Sequence, residues 1–499
     1  MVFTTVFFVF FFFPCSIISY LLAYKLETYS CFKYLRKFRA SDCLLIILSL
    51  GFYAWACFYN VYKLCIYTFF IYMFAVFCQI KRLEIKLVNN EEKCISIQSF
   101  VLGKKTIICG VLLILAILFN YKYLNFSIKN INYFFDIGLK ERTILAPLGI
   151  SFITFSAISY LVDIYTGKAK AGNIIDCLLY LTFFPKIVSG PIVLWRDFQN
   201  QIQTREININ KCVNGVNRII IGFAKKLILA DMFGMCIGEI QKSAAYGIDI
   251  ISAWLCVLLY MLQIYYDFAG YSDIAIGVAK ILGFDFKENF NFPYRSRSIS
   301  EFWRRWHISL GTWFREYVYI PLGGSRMGKT RTIINLAVVF FLTGIWHGAS
   351  WTYIIWGATN GGIVIIERII SDKSINKKIP NIIKWSFSMF VVMICWELFR
   401  FQNMSDFWSW VSIMLGRTTF AHIDLTWRYF LDYRMIVLTS IGILGATVLG
   451  ESKILVAKEQ IVKTKIGFAM QEALLLCLFV VSLFCMVSSS YHPFIYFQY

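Results

Sequence analysis

Apolar runs long enough to cross a lipid bilayer recur along the whole chain, separated by short polar and basic loops. A spanning helix needs about 20 mostly apolar residues, and shorter runs suit half-spanning or re-entrant pieces. Such runs lie near 4–25, 41–62, 64–80, 106–121, 144–163, 173–194, 214–237, 250–266, 270–284, 333–347, 350–367, 384–400, 435–450 and 469–488. Several are short or interrupted, so the pattern predicts an all-α polytopic membrane protein with about 11–13 spans or half-spans. No long polar segment stands apart, and the chain reads as a single membrane domain over 1–499. The first run, Thr5–Tyr24, lacks a basic leader and a small-residue cleavage site and reads as a retained span.

Composition sharpens this picture. The 499 residues are 59% hydrophobic, where soluble domains hold about 45–50% apolar residues. The net charge of +20 gathers in loops, for example Lys33, Arg36, Lys37 and Arg39 after the first run, and Lys81, Arg82 and Lys86 after the third. That is the bias of cytoplasmic loops. A nucleic-acid partner is excluded because no polar domain exists to carry it. The 15 cysteines form no CxxC pair and sit in apolar runs, where cysteine behaves as a small hydrophobe.

Two middle segments break the apolar pattern. Ala146–Tyr165 carries Ser151, Thr154, Ser156, Ser159 and Asp163 in an apolar frame. Phe183–Phe198, FFPKIVSGPIVLWRDF, places Pro185, Gly190 and Pro191 in one run and so predicts a broken helix. Backbone groups freed at membrane depth must face protein or a water-filled cavity, and Lys186 needs a polar setting. The break is either a packing kink or a wall of a solvated cavity.

The candidate chemistry lies between Asp267 and Gly362. DFAGYSD (Asp267–Asp273) sets two carboxylates beside apolar turns, with Arg295 and Arg297 as expected partners, either in structural ion pairs or in substrate binding. Ser298–Glu301 matches a capping box and opens a helix. On a continuous helix Trp303, Trp306, His307, Leu310, Trp313, Phe314 and Tyr317 share one face, while Arg304, Arg305 and Arg315 lie off it. An amphipathic helix of this kind suits the membrane–water boundary. Between Arg295 and Arg331 there are eight basic residues against two acidic ones, a set able to hold phosphates or anionic lipid headgroups. Gly323–Thr330 matches the P-loop spacing, but no strand or βαβ unit is expected around it, so nucleotide hydrolysis is rejected.

Of the four histidines, His347 follows some fifteen largely apolar residues and is expected inside the membrane, where ionisable residues are functional by default. Gly344 and Gly348 are expected to leave room for a substrate beside its ring. A neutral imidazole suits removal of a hydroxyl proton near neutral pH, and attack on a thioester then needs positioning and an oxyanion donor. A structural, hydrogen-bonded role for His347 is the alternative. His422 and His492 read as surface residues, and no HExxH-type metal set occurs.

PLGISFITFSAISYLVDIY, FFPKIVSGPI, QIYYDFAGYSDIAIG, NFPYRSRSISEFWRRWHISLGTWFREYVYIPLGG, LTGIWHGASW and FIYFQY resemble the membrane-bound O-acyltransferase family. The likeness is to its bacterial branch, which includes the alginate O-acetyltransferase membrane protein and its peptidoglycan and cellulose counterparts. It covers nearly the whole chain, and its core from Asp267 to Gly362 is highly specific. The resemblance implies a ring of helices around a central tunnel that joins a cytoplasmic and an extracytoplasmic funnel. It implies catalysis by His347, in the WHG motif, with His307 as the second motif histidine. Arg304, Arg305, Trp306, Asp267, Asp273 and Trp346 form the candidate donor- or substrate-binding set.

The resemblance further implies acetyl-coenzyme A as a donor substrate with no other cofactor. Its acetyl group would pass outward to an SGNH-type extracytoplasmic acetyltransferase or to a polysaccharide, across the inner membrane of a bacterium. One departure is GPIVLWRDF, where the family often has GPIVRYRDF, so no basic role is expected at Leu194. Rival readings are a D-alanyl transfer protein of teichoic acid modification, a transporter, and a lipid or sterol acyltransferase.

The charge bias predicts that Arg295–Arg331 faces the cytoplasm. A cysteine placed at Ser325 in a cysteine-depleted protein should resist an impermeant thiol reagent in intact cells and react after permeabilisation. Labelling of intact cells would reverse the orientation.

Overall fold

The computed structural model describes residues 3–28, 39–88, 93–370, 379–417, 425–451 and 464–488 and the single positions 454, 460 and 462, with side chains outside 81–102. Lys33, Arg36, Lys37, His422, His492 and the tail from Pro493, together with the side chains of Lys81, Arg82 and Lys86, lie outside the described residues. Among the described residues the structure is helical without a strand, apart from one isolated bridge between Ile248 and Leu425. The expected all-α membrane fold is what forms.

Nine helices among the described residues are long and apolar enough to cross a membrane. One of these stretches, Ala40–Ile80, runs 41 residues. At 1.5 Å per residue it would reach about 60 Å, twice the roughly 30 Å hydrocarbon layer. It is divided where Cys57 leaves helical space (φ −158°, ψ 86°), giving α1 (Ala40–Cys57) and α2 (Val61–Val88). Two expected runs behave in the opposite way: 250–266 and 270–284 join in one 32-residue helix.

Contacts divide the chain into two compact units, 1–216 with 275–287, and 217–274 with 288–499. The first unit contains the broken helix. After α3 (Ile150–Thr166), α4 (Ile174–Thr182) stops at Phe183, a four-residue helix carries Pro185, and the chain then runs irregularly to Leu194. This whole stretch is buried. The polar residues of α3 supply what the break removes. Ser159 Oγ accepts from Trp195 N at 2.9 Å, and Asp163 Oδ2 accepts from Arg196 N at 3.1 Å. Ser49 Oγ accepts from Phe184 N at 3.2 Å, while Tyr180 donates to the Val193 carbonyl at 2.7 Å. Lys186 donates to Ser156 Oγ at 2.9 Å and lies 3.9 Å over the Tyr180 ring. Protein groups therefore meet the freed backbone.

In the second unit α5 (Ile209–Phe223), from residue 217 on, meets α6 (Ile250–Ile281) at a pair of glycines. A Cβ on Gly222 would stand 2.7 Å from the Gly270 carbonyl oxygen, and one on Gly270 would stand 2.7 Å from that of Gly222. Only glycine permits this approach. It brings DFAGYSD against the charges of the expected run 214–237. Lys226 bridges Asp231 and Asp267, each at 2.7 Å, and Asp273 holds Arg218 at 2.8 Å and Lys225 at 2.6 Å. The expectation that Arg295 and Arg297 pair with these carboxylates is thus corrected. Arg295 instead donates to the Gly450 carbonyl and lies 3.9 Å from Glu451. The cause is the glycine crossing, which brings α5 and the π-helical turns that continue it (Ala224–Ala230) against both aspartates.

Lys226 and Asp267 are almost fully buried, so removing one partner strands charge in a dry site. Lys226→Met should destabilise the protein by about 3–5 kcal/mol, read as a lower melting temperature and a smaller monodisperse fraction after detergent extraction. An unchanged melting temperature would show that the triad is not stabilising.

Candidate active site

The aromatic–arginine segment does not form the continuous interfacial helix expected from its spacing. α7 (Ile299–Arg305) opens on Ser298, whose Oγ accepts from Glu301 N at 3.0 Å, as the capping pattern predicts. The Glu301 carboxylate turns instead to Arg297 N at 2.9 Å and Arg305 at 2.9 Å. The helix then stops. Trp306 is extended and His307 is left-handed (φ 44°, ψ 52°) before α8 (Ile308–Phe314) begins. Asn291 N donates to the Arg305 carbonyl and Ile308 N donates to the Asn289 carbonyl, each at 2.9 Å. The Asn289–Asn291 segment thereby closes the backbone on both sides of the break. The kink carries His307 away from the polar border into the interior, where it is 1% exposed.

Around His307, Phe268 packs edge-on at 4.7 Å between ring centres and Trp346 stands at 6.2 Å. Its Nδ1 lies 3.1 Å from Asn289 Oδ1 and 3.4 Å from Ser309 Oγ. Asn289 Oδ1 also accepts from Ser309 Oγ at 2.9 Å and Ser309 N at 3.3 Å, and Asn289 Nδ2 donates to Ser272 Oγ at 3.0 Å. His307 Nε2 is buried without a hydrogen-bond partner among the described residues.

His347 is the last residue of α9 (Lys329–His347) and is buried. Trp346 at 4.7 Å, Trp356 at 4.9 Å and Phe399 at 5.0 Å surround its ring edge to face. Trp356 comes from α10 (Trp351–Ile370) and Phe399 from α11 (Asn381–Arg400). Trp346 thus packs on both imidazoles, whose centres can be no farther apart than its two ring distances placed end to end. The glycines beside His347 do not leave open space, as was expected of them. A Cβ on Gly344 would meet the Tyr353 carbonyl oxygen at 2.6 Å, and one on Gly348 would meet the Tyr353 ring at 2.2 Å. They let α9 and α10 close tightly on each other.

The other candidate residues divide into two groups. Trp306 is buried in the same aromatic mass, 4.8 Å from Trp396, which in turn packs on Phe399 at 5.6 Å. Arg304 is exposed, whereas Arg305 is held by Glu301 and by the Asn291 carbonyl at 3.2 Å. Asp267 and Asp273 are occupied in the ion pairs above, and their motif reaches the site through Phe268 and Ser272. Asn289, Ser272 and Ser309 were missed by the sequence reading. The available signal was an asparagine pair set among aromatics in ENFNFPYR. The P-loop-like segment follows π-helical turns at Arg315–Tyr319 and leads into α9, with no preceding strand. Arg304, Arg315, Arg326, Lys329 and Arg331 are exposed.

The model of MBOAT, the membrane-bound O-acyltransferase family, matches residues 114–399. The chain is 36% identical over 420 residues to the probable alginate O-acetylase AlgI of Pseudomonas putida, an alignment covering 80% of this chain and 85% of that one. It is 31% identical over 340 residues to the peptidoglycan O-acetyltransferase of Helicobacter pylori, covering 62% of this chain and 64% of that one. It is 34% identical over 251 residues to the teichoic acid D-alanyltransferase of Streptococcus thermophilus, covering 47% of this chain and 60% of that one. The protein therefore belongs to the membrane-bound O-acyltransferase family and is a multi-pass membrane acyltransferase.

Gly348 has an extended backbone that any residue can adopt, so a methyl group there acts only by contact with Tyr353. Gly348→Ala should displace the Trp346–His347 turn and lower acyl transfer roughly 10–100-fold, since small misplacements carry costs of this order. The check is product formation at matched levels of folded protein. A wild-type rate would show that the turn absorbs the methyl group.

Proposed function

We propose that the protein moves an acetyl group from cytoplasmic acetyl-coenzyme A across the bacterial inner membrane for O-acetylation of an extracytoplasmic polysaccharide, through a partner acetyltransferase of SGNH type. One observation carries the reading: buried His307 and His347 both pack on Trp346 in a chain similar over 80% of its length to a protein named as an alginate O-acetylase. The D-alanyltransferase likeness spans 47% of the chain and ranks second for that reason.

In this reading His347 is the base. Trp346, Trp356 and Phe399 cage its ring, and a neutral imidazole nitrogen is suited to accept a proton near neutral pH. The acceptor hydroxyl gives its proton to that nitrogen while its oxygen bonds to the thioester carbonyl carbon. Collapse of the tetrahedral adduct breaks the carbon–sulfur bond. Coenzyme A leaves as a thiolate and takes the proton back from the imidazolium. His307 holds the reacting groups, and the exposed arginines and Lys329 suit the coenzyme phosphates. Membrane lipid surrounds the apolar helices.

A strain lacking the protein should lose polysaccharide acetyl groups, regain them with the wild-type chain and fail to regain them with His347→Ala at equal protein level. His307→Ala should retain measurable turnover, roughly 10–100-fold below wild type, with part recovered at high acetyl-coenzyme A. Normal acetylation by His347→Ala would overturn the assignment of the base. Equal inactivity of both variants at saturating donor would make the two histidines one unit.

A further inference from the structure

We infer that Asn289 is a positioning residue that fixes the tautomer of His307, so that Nε2 presents a lone pair to a hydrogen-bond donor of the substrate. The inference rests on the acyl-transfer reading above, but its first step follows from hydrogen-bond bookkeeping alone. A backbone N–H can only donate. Ser309 N points at the Asn289 amide at 3.3 Å, so the amide atom facing it is the oxygen. Ser309 Oγ donates to the same oxygen at 2.9 Å, and the amide nitrogen is used on Ser272 Oγ at 3.0 Å. A flipped amide would set its NH2 against the Ser309 N–H, so that orientation is closed.

The oxygen that remains can only accept from His307, 3.1 Å away, which places the ring proton on Nδ1. The other nitrogen, Nε2, then carries the lone pair. It is buried and has no partner among the described residues. A buried acceptor left unpaired in a low-dielectric site is costly unless a ligand fills it. The backbone supports the same outcome. The left-handed turn at His307 and the Ile308 N to Asn289 carbonyl bond at 2.9 Å tie residue 307 to residue 289 through main chain as well as side chain. The ligand group that fits is a hydroxyl, as on the acceptor, or an amide N–H, as on the pantetheine arm of the donor.

Histidine-15N spectra of the full-length protein in detergent or lipid read the tautomer directly, with the His307 signal assigned by difference from His307→Gln. Wild type should show protonated Nδ1 and bare Nε2 at neutral pH. Asn289→Leu should lose this state and lower turnover at least tenfold. A fall in kcat alone identifies the acceptor hydroxyl as the ligand, and a rise in KM for acetyl-coenzyme A identifies the donor amide. Asn289→Asp keeps an acceptor on Nδ1 and so keeps the tautomer, but its carboxylate favours the imidazolium. Burial holds the wild-type His307 pKa well below the ordinary imidazole value and the carboxylate raises it from there, so the variant's activity should fall toward low pH and recover as pH rises. An Nε2–H tautomer in wild type, an unchanged signal in Asn289→Leu, or unchanged kcat and KM in both variants would overturn the inference. If wild type shows the expected tautomer yet transfers no acetyl group, the functional reading fails and the tautomer assignment stands.

Discussion

A chain inside a bilayer cannot leave a backbone N–H or carbonyl unpaired, and this protein interrupts its helices where its polar chemistry lies. At Phe183–Leu194 the cost of interruption is met by Ser49, Ser159, Asp163 and Tyr180. At Trp306–His307 it is met by the main chain of Asn289 and Asn291. In both cases protein groups meet the freed backbone, so polar residues in an apolar frame do not by themselves mark a solvated cavity.

The second break has a further effect. A helix continued through His307 would present the ring at one edge of an aromatic stripe. The kink instead drives it against Phe268 and toward Trp346, which also packs on His347. Two imidazoles from distant sequence positions thereby share one indole. The surrounding wall of Trp356, Trp396 and Phe399 is assembled from α10 and α11. Tight contact between α9 and α10 at Gly344 and Gly357 sets its position.

Much of this was legible in the chain. The apolar runs, the Pro–Gly break, the Ser298 cap and the two motif histidines could be read locally, because each depends on residues a few positions apart. The pairing of Asp267 and Asp273 could not. Their partners sit on another helix and are chosen by the Gly222–Gly270 crossing, which periodicity does not encode. The kink at His307 was hidden for a similar reason. Its residues have ordinary helical periodicity, and what stops the helix is backbone pairing with a segment some fifteen residues upstream. The glycines around His347 illustrate the reverse error: a missing side chain was read as room, although a neighbouring helix fills it.

The left-handed backbone at His307 bears on how this site can change over generations. Few residues other than glycine accept such a conformation readily, and asparagine, aspartate and histidine are prominent among them. All three carry a hydrogen-bonding side chain. Drift toward an aliphatic residue at this position would be opposed by the main chain as well as by the lost contact with Asn289. The fold thus screens the alphabet available there, and the substitutions it passes most easily, glycine aside, are those that keep a polar head pointing into the site.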